Sequence, residues 1–263
     1  MKIKKAIEFR FDNKKMYKKE ANIAGIKLSK ITTQEFMDYV IDYALNGIKP
    51  IQICYLNADC VNRYFKDKEY AQIIDSAEIV YADGQAVVWG SGLFGARLPE
   101  RVNAGDFFLN FCKKCDEKKI KLFFLGSKED ISEKCANNLL TKFPQLKIVG
   151  TDDGYFDEIK EKEIIKKISE LGVDILIVGM GSPLQEKWIS KNINQLNTKV
   201  CWGVGALFEY YSGNVPRAPI GMRKAGLEWL YRLIVEPKRL WKRYLIGNVI
   251  FMFRIILGII IKR

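Results

Sequence analysis

From Gln52 onward, short apolar runs alternate with longer segments of helical periodicity, and this alternation narrows the fold more than any other feature. The runs IQICYLN (51–57), EIVYAD (78–83), KLFFLGS (121–127), VDILIVGMGSP (173–183) and KVCWGVGALF (199–208) read as strands, and QLKIVGTDDGYF (145–156) as a strand and loop. Between them lie helical patterns: ADCVNRYFKDKEYAQIIDSA (58–77), a segment starting at GQAVVWGSGLF, NAGDFFLNFCKKCDEKK (103–119), KEDISEKCANNLLTKF, DEIKEKEIIKKISELG and LQEKWISKNINQL. Strands separated by helices of this length are βαβ units. They predict an α/β fold, a Rossmann-like, mainly parallel sheet with helices on both faces. Asp83-Gly84 falls where one run stops. Asp-Gly between apolar runs is a common hairpin turn, but Gln85 to Phe94 do not alternate as a returning strand would. The other reading is a strand end that presents a carboxylate to a cleft.

In such sheets ligands bind at the carboxyl ends of the strands. The strand ends here carry Asn57, Asp83-Gly84, Gly126-Ser127, Asp152-Asp153-Gly154, Gly179 to Pro183 and Gly203-Val204-Gly205. Glycines there admit a ligand close to the backbone, and the helix N-termini beyond them favour phosphate. The cleft therefore suits a nucleotide.

Composition removes several chemistries. The 263 residues are 48% apolar and 28% charged, enough for one substantial core. Histidine is absent, so a His-dependent triad and a His-bearing metal site are excluded, and a general base must be Asp, Glu, Lys, Tyr or Cys. Six cysteines without a disulfide-like framework point to a reduced, cytoplasmic setting. Cys112-x-x-Cys115 falls in a helix with no second pair and reads as ordinary helix. The first twenty residues are charged and lack an apolar core, so no secretory signal is expected.

The net charge of +12 is uneven. Residues 1–30 hold 10 basic and 3 acidic residues, and residues 214–263 hold 11 and 2, around a middle of 22 and 26. Such ends attract nucleic acid or an anionic membrane surface. Strand–helix alternation also stops near residue 213. We therefore divide the chain into an α/β domain (1–212), whose cleft suits a nucleotide, and a basic helical appendage (213–263). Residues 245–261 form an apolar stretch interrupted by Asn248 and Arg254. That is short of the roughly 20 residues a spanning helix needs, and an interfacial, peripheral element fits better.

Three stretches, YADGQAVVWGSGLFGARLPERVNAGDFF, VGMGSPLQEKWI and RAPIGMRKAGLEWLYRLIVEPKRLWKR, together resemble the WecG/TagA/CpsF family of glycosyltransferases (family 26). The resemblance covers roughly residues 25–245 in order. It implies an inverting transfer of a sugar, most often N-acetylmannosamine or its uronic acid, from a UDP-sugar donor. The acceptor it implies is a polyprenyl-diphosphate-linked N-acetylglucosamine, at the cytoplasmic face of the membrane, in cell-surface polysaccharide or teichoic acid synthesis. It implies no cofactor, no metal and no nucleic-acid partner, and it leaves a homo-oligomer open.

The resemblance also distributes roles. Asp83 matches the catalytic base, where its own residue type reads equally as a turn residue or helix cap. Asn57 matches a pocket residue, although Tyr55 stands where many relatives have a small Thr or Pro. Arg101 and Asp106 match the segment "LPERVTGSD", and Gln185 resembles a residue implicated in sugar or nucleotide contact. Glu186 reads as a weaker candidate for such contact or as a first-turn acid that suits the helix dipole, and Arg97 equally as a cation for the diphosphate or a solvated surface cation. Arg232, Arg239 and Arg243 are expected to fold over the site and meet the charge of the departing diphosphate. Pro237 must kink or break the helix between the first two. Gly84, Gly126, Ser127, Gly179, Gly181 and Glu209 complete the expected binding set. Asp152-Asp153 could hold a divalent cation or simply form a turn, and the resemblance favours the turn. Two rivals remain. An NAD-linked oxidoreductase lacks a G-x-G-x-x-G opening its first βα unit. A non-catalytic basic membrane-binding protein leaves the polar strand ends unexplained.

Overall fold

The computed structural model describes residues 19–262, and the basic stretch before them, like the sequence reading of residues 1–18, lies outside those residues. The chain opens with a hairpin, β1 (Glu20–Ile23) and β2 (Ile26–Ser29), followed by α1 (Thr33–Asn46). The sequence reading, which began at Gln52, did not anticipate these elements. Their signals are local. Ala24 and Gly25 both take positive φ in a two-residue turn, and Gly25 N donates to Asn22 Oδ1. Thr32 and Glu35 form a capping box at the start of α1.

The βα units follow as β3 (Ile51–Leu56), α2 (Ala58–Tyr64), α3 (Lys68–Ser76), β4 (Ile79–Ala82), α4 (Gln85–Leu93) and α5 (Ala104–Lys118). Next come β5 (Lys121–Gly126), α6 (Ile131–Lys142), β6 (Lys147–Asp152), α7 (Glu158–Leu171), β7 (Ile175–Gly179), α8 (Leu184–Asn192) and β8 (Val200–Gly203). Several boundaries differ from expectation, and the strand read over 173–183 spans only Ile175–Gly179. The single helix read over 58–77 is two, because Asp67 caps a new start by accepting from Tyr70 N. The strand read over 199–208 ends at Gly203, where the chain turns through Gly205 at φ +61° into α9 (Leu207–Tyr211).

The six strands β3–β8 form one parallel sheet in the order β4-β3-β8-β7-β5-β6. The chain leaves β3 toward the β4 edge and fills the other side afterwards, ending on β8 beside β3. All six strands are parallel, so their carboxyl ends lie along one edge of the sheet, the side on which α/β sheets bind ligands.

Successive side chains enter opposite cores, as strand geometry requires. Phe124, Ile175, Ile177 and Trp202 join Phe36 of α1 and Phe107, Phe108 and Phe111 of α5. Phe123, Leu125, Leu176, Val178 and Cys201 join Ile164 and Ile168 of α7 and Trp188 and Ile189 of α8. Trp202 anchors the first core. Its indole stacks on Phe107 at 6.0 Å between centroids, and its Nε1 donates to Tyr81 Oη at 3.0 Å, so the one polar atom of a large buried ring is satisfied.

The C-terminal segment is helical: α10 (Ile220–Lys224), α11 (Glu228–Val235), α12 (Pro237–Trp241), a π-helical turn (Lys242–Ile246) and α13 (Gly247–Lys262). Pro237 breaks the chain as expected. It is the first residue of α12, and Glu236 before it leaves helical geometry. One face of α13 is seated on the body. Phe251 and Ile255 are buried, Ile255 lies against Gly90 of α4, and Asn62 Nδ2 of α2 donates to the Gly247 carbonyl at 2.7 Å.

Gly126 and Gly179 lie at the close approach of β5 and β7. A Cβ on Gly126, which has φ +136°, would stand 2.5 Å from the carbonyl carbon of Gly179. Gly126→Ala should therefore destabilise the fold by at least about 2 kcal/mol. Urea-unfolding midpoints of the two proteins, at equal m-value, measure this.

Candidate active site

A cavity of about 430 Å³ opens above the carboxyl ends of β3, β4 and β8. Its floor is built by loops of the sheet: Asn57, Asp83-Gly84, Arg101, Gly181 and Gly205. Its roof comes from the C-terminal segment: Glu228, Trp229, Arg232, Arg239, Arg243 and Tyr244.

Backbone bonds place Asp83. Asp83 N and Gly84 N both donate to the Leu56 carbonyl, at 2.9 and 3.3 Å, which ties the loop after β4 to the end of β3. Gly84 makes the approach feasible, since a Cβ there would lie 3.0 Å from Asn57 Cβ. Asn57 caps α2, its Oδ1 accepting from Asp59 N and Cys60 N, so its helix-cap and cavity-lining roles coexist. The Asp83 carboxylate accepts from Asn103 Nδ2 at 2.7 Å. Withdrawal from solvent and the nearby Glu228 carboxylate push its pKa up to about 6, against the pull of Arg101, Asn103 and Arg232. A carboxylate poised there is ionised at neutral pH and still basic enough to take a proton.

Cationic groups dominate the rest of the lining. Arg63, Arg101, Arg232, Arg239 and Arg243 face the cavity with the acids Asp59, Asp83 and Glu228. Arg101 is committed to Asp106 at 2.9 Å and Glu228 at 3.1 Å. Arg239 pairs with Glu236. Arg232 rests over the Tyr210 ring, and its buried Nε has no hydrogen-bond partner among the described residues. A buried guanidinium N–H without an acceptor is costly, so this cation is set for an anion entering the cavity. The N-termini of α2, α4 and α5 open on the same space through Ala58, Gln85 and Ala104-Gly105, adding positive potential from backbone N–H groups.

Of the residues expected from sequence, Asp83, Asn57, Gly84, Arg101, Gly181, Arg232, Arg239 and Arg243 line this one cavity. Six others do not. Gly126 and Gly179 are occupied by each other and by Phe208, so their missing Cβ atoms serve packing. Ser127 uses its backbone to join the same loops, its N–H donating to Gly179 O and its carbonyl accepting from Gly154 N. Glu209 accepts from Asn214 Nδ2 and fixes the turn after α9. Asp106 sits behind Arg101, bridged also to Arg217 and Arg223. Gln185 is fully buried. Its Oε1 accepts from Gly181 N at 3.2 Å and Gly205 N at 2.9 Å, and its Nε2 donates to Glu186 Oε1. Its amide is spent within the protein, and it shapes the cavity by holding two glycine loops. Glu186 is likewise buried, with burial raising its carboxyl pKa, so it is more than a first-turn surface acid.

Asp152 is engaged by Lys160 and Lys167, while Asp153 Oδ1 accepts from Tyr155 N in a turn. Among the described residues no group of three or more Cys, Asp and Glu side chains converges. Tyr55 enters the floor, and Gly205 accommodates it: a Cβ there would lie 2.6 Å from the Tyr55 hydroxyl.

Sequence reasoning missed Asn103 as a partner of Asp83, along with Arg217, Glu228, Tyr210, Trp229 and Tyr244. Asn103 precedes α5 and looks like its cap, yet its side chain makes no capping bond. The others come from more than a hundred residues away, and no spacing rule links them to Asp83.

Comparison with known proteins identifies one family. The family model "Glycosyl transferase WecG/TagA/CpsF family" matches residues 21–263. An N-acetylglucosaminyldiphosphoundecaprenol N-acetyl-beta-D-mannosaminyltransferase of Bacillus subtilis (strain 168) is 32% identical over 211 residues, covering 80% of this chain and 81% of the relative. The protein of the same name from Bacillus spizizenii is 34% identical over 180 residues, 68% and 69% of the two chains. That from Staphylococcus aureus (strain MRSA252) is 28% identical over 237 residues, 90% and 92%. With a family match over nearly its whole length, beside a carboxylate-bearing, arginine-roofed cavity at the strand ends, this chain belongs to the WecG/TagA/CpsF family of glycosyl transferases.

Proposed function

We propose that this chain transfers N-acetylmannosamine, or a closely related hexose, from a UDP-sugar to N-acetylglucosaminyl-diphospho-undecaprenol with inversion at the anomeric carbon. One observation carries the reading: Asp83 faces a cavity whose opposite wall is arginine-rich and contains an unpaired guanidinium N–H. In a single displacement, the acceptor hydroxyl attacks the anomeric carbon as its proton passes to an Asp83 carboxylate oxygen. The glycosidic C–O bond to the diphosphate breaks, and the electron pair leaves with UDP. Charge growing on the departing diphosphate is met by Arg232, Arg239 and Arg243, in a site where preorganised cations act at short range.

The membrane supplies the acceptor, and the C-terminal segment has a surface for it. The stretch Pro237–Ile260 is long and apolar enough to cross a membrane by length and composition, with a mean hydropathy of 1.8. Its inner face is held on the body by Phe251 and Ile255, and its outer face exposes Val249, Met252, Phe253, Ile256 and Ile260. A helix docked along one side and apolar along the other lies in the interface, so we assign peripheral attachment at the cytoplasmic face.

Asp83→Asn should keep UDP affinity within about threefold and lose at least about a hundredfold in turnover. Wild-type turnover by that variant, in a radiolabelled transfer assay with a lipid-linked acceptor, would refute the base assignment. Because Asp83 must be ionised, kcat/KM of the wild type should fall as pH drops through about 6.

The same carboxylate affects stability. Its pKa is raised on folding, so its charge opposes the fold as pH rises from the ordinary carboxylate range through about 6. Asp83→Asn should therefore stabilise the protein by about 1–2 kcal/mol at pH 7.5, after allowing for solvent in the cavity, and by almost nothing at pH 4. Chemical unfolding at the two pH values checks the sign.

Removing residues after about 215 should abolish transfer, since the roof arginines go with them. Phe253→Glu with Ile256→Lys should abolish flotation with anionic vesicles while leaving UDP binding intact.

A further inference from the structure

The side-chain amide of Asn103 sits between a carboxylate and a guanidinium. Its Nδ2 donates to Asp83 Oδ1 at 2.7 Å, and its Oδ1 accepts from Arg217 Nη2 at 3.2 Å. An ionised carboxylate only accepts and a guanidinium only donates. One orientation of the amide satisfies both neighbours, and the flipped one sets oxygen against oxygen and N–H against N–H. Arg217 therefore decides which end of Asn103 faces Asp83.

Arg217 is itself held from several sides. It donates to the Gly105 carbonyl, pairs with Asp106 at 3.0 Å and Glu228 at 3.4 Å, and lies 5.4 Å over the Tyr210 ring. Glycine at 105 is required for this seat, since a Cβ there would stand 2.9 Å from Arg217 Cζ. Arg217 is not among the residues that line the cavity. It reaches the reacting groups through Asn103.

We infer that Arg217 is a positioning residue that fixes the Asn103 amide so that its N–H aims the Asp83 carboxylate, and that seating of the C-terminal segment thereby prepares the base as well as roofing the site. This rests on the reading of Asp83 as the base. Arg217 lies in the loop between α9 and α10, and Glu228 begins α11, whereas Asn103, Gly105 and Asp106 belong to the body. Lifting the segment away removes the guanidinium, frees the amide to rotate and leaves Asp83 without its oriented donor. The groups facing Asp83 are Arg101 and Asn103 from the loop before α5, Glu228 and Arg232 from α11, Tyr55 from β3 and Tyr81 from β4. Among them Asn103 is the neutral donor in direct contact with the carboxylate.

The test uses the full chain with a labelled UDP-N-acetylmannosamine donor and a lipid-linked acceptor. Steady-state constants are taken from pH 5 to 9 for the wild type, Asn103→Asp, Asn103→Ala, Arg217→Lys and the Asn103→Ala/Arg217→Lys double variant. Asn103→Asp keeps a partner for Arg217 but turns an acceptor toward Asp83. It should lower kcat about tenfold or more and move the acid limb of kcat/KM up by about one pH unit, with donor KM within about threefold. Arg217→Lys should lower kcat on its own and add nothing in the Asn103→Ala background, as expected for two residues acting through one path.

The inference is overturned if the single losses multiply in the double variant, or if Arg217→Lys raises donor KM instead of lowering kcat. An unmoved acid limb in Asn103→Asp also overturns it. Failure of the base reading looks different: Asp83→Asn would turn over at the wild-type rate. Circular dichroism and thermal midpoints establish folding of each variant, and if Arg217→Lys does not fold, the acid limb of Asn103→Asp decides alone.

Discussion

Everything at this site depends on a cluster of charges at the seam between the sheet body and the C-terminal helices. Arg101 and Asp106 from the body meet Arg217, Arg223 and Glu228 from the segment. Most of these side chains are shielded from solvent. Charges withdrawn from water are tolerated only when each finds an opposite partner in good geometry, and stranding one is far more damaging than removing a pair. The cluster is therefore a specific joint: it accepts one arrangement of the two parts, and that arrangement puts Arg232 across the cavity from Asp83. Apolar contact alone, as between Ile255 and Gly90, would hold the segment with less definition of its angle.

The sheet supplies the complementary rigidity. Asp83 follows a strand whose register with β3 is fixed by Leu56 against Ala82, and its backbone is tied to the Leu56 carbonyl. On the other side, Gln185 binds the Gly181 and Gly205 amides together. A buried amide with both its oxygen and its nitrogen engaged is a stiff spacer, because any movement of one loop strains the other. The floor of the cavity is thus backbone held by backbone and by one core side chain, while the roof is side chains on short helices. A donor nucleotide would meet a preformed floor and an adjustable cover.

Much of this was legible in the sequence. Alternation of apolar runs and helical segments predicts the parallel sheet because strands covered on both faces are continuously apolar, and IQICYL and ILIVG are of that kind. Polar residues at strand ends pointed to the cavity, and the resemblance of the motifs to a glycosyltransferase family distributed roles among them. What escaped has identifiable causes. The β1–β2 hairpin lies before the alternation starts, and its four-residue strands carry little pattern. Gly126 and Gly179 looked like ligand approaches because a glycine that avoids a neighbouring backbone and one that admits a substrate leave the same mark on the sequence. Gln185 looked like a contact residue because its type says nothing of whether it faces the cavity or supports it from behind. In the Asp83–Asn103–Arg217 chain the first link joins residues 20 positions apart and the second residues 114 apart, and no local rule connects such distant positions.

Asn248 lines the cavity, and it belongs to the same helix whose far side is greasy. If the exposed apolar side lies on lipid, as proposed, cavity wall and bilayer contact would be parts of one rod, and the cavity would stand close to the headgroups. On the proposed function, a polyprenyl-borne acceptor would then arrive by drifting sideways within its leaflet, while the soluble nucleotide sugar would arrive from the bulk. The two reactants would search in spaces of different dimension. The elongated lipid could then move on without its tail ever entering water.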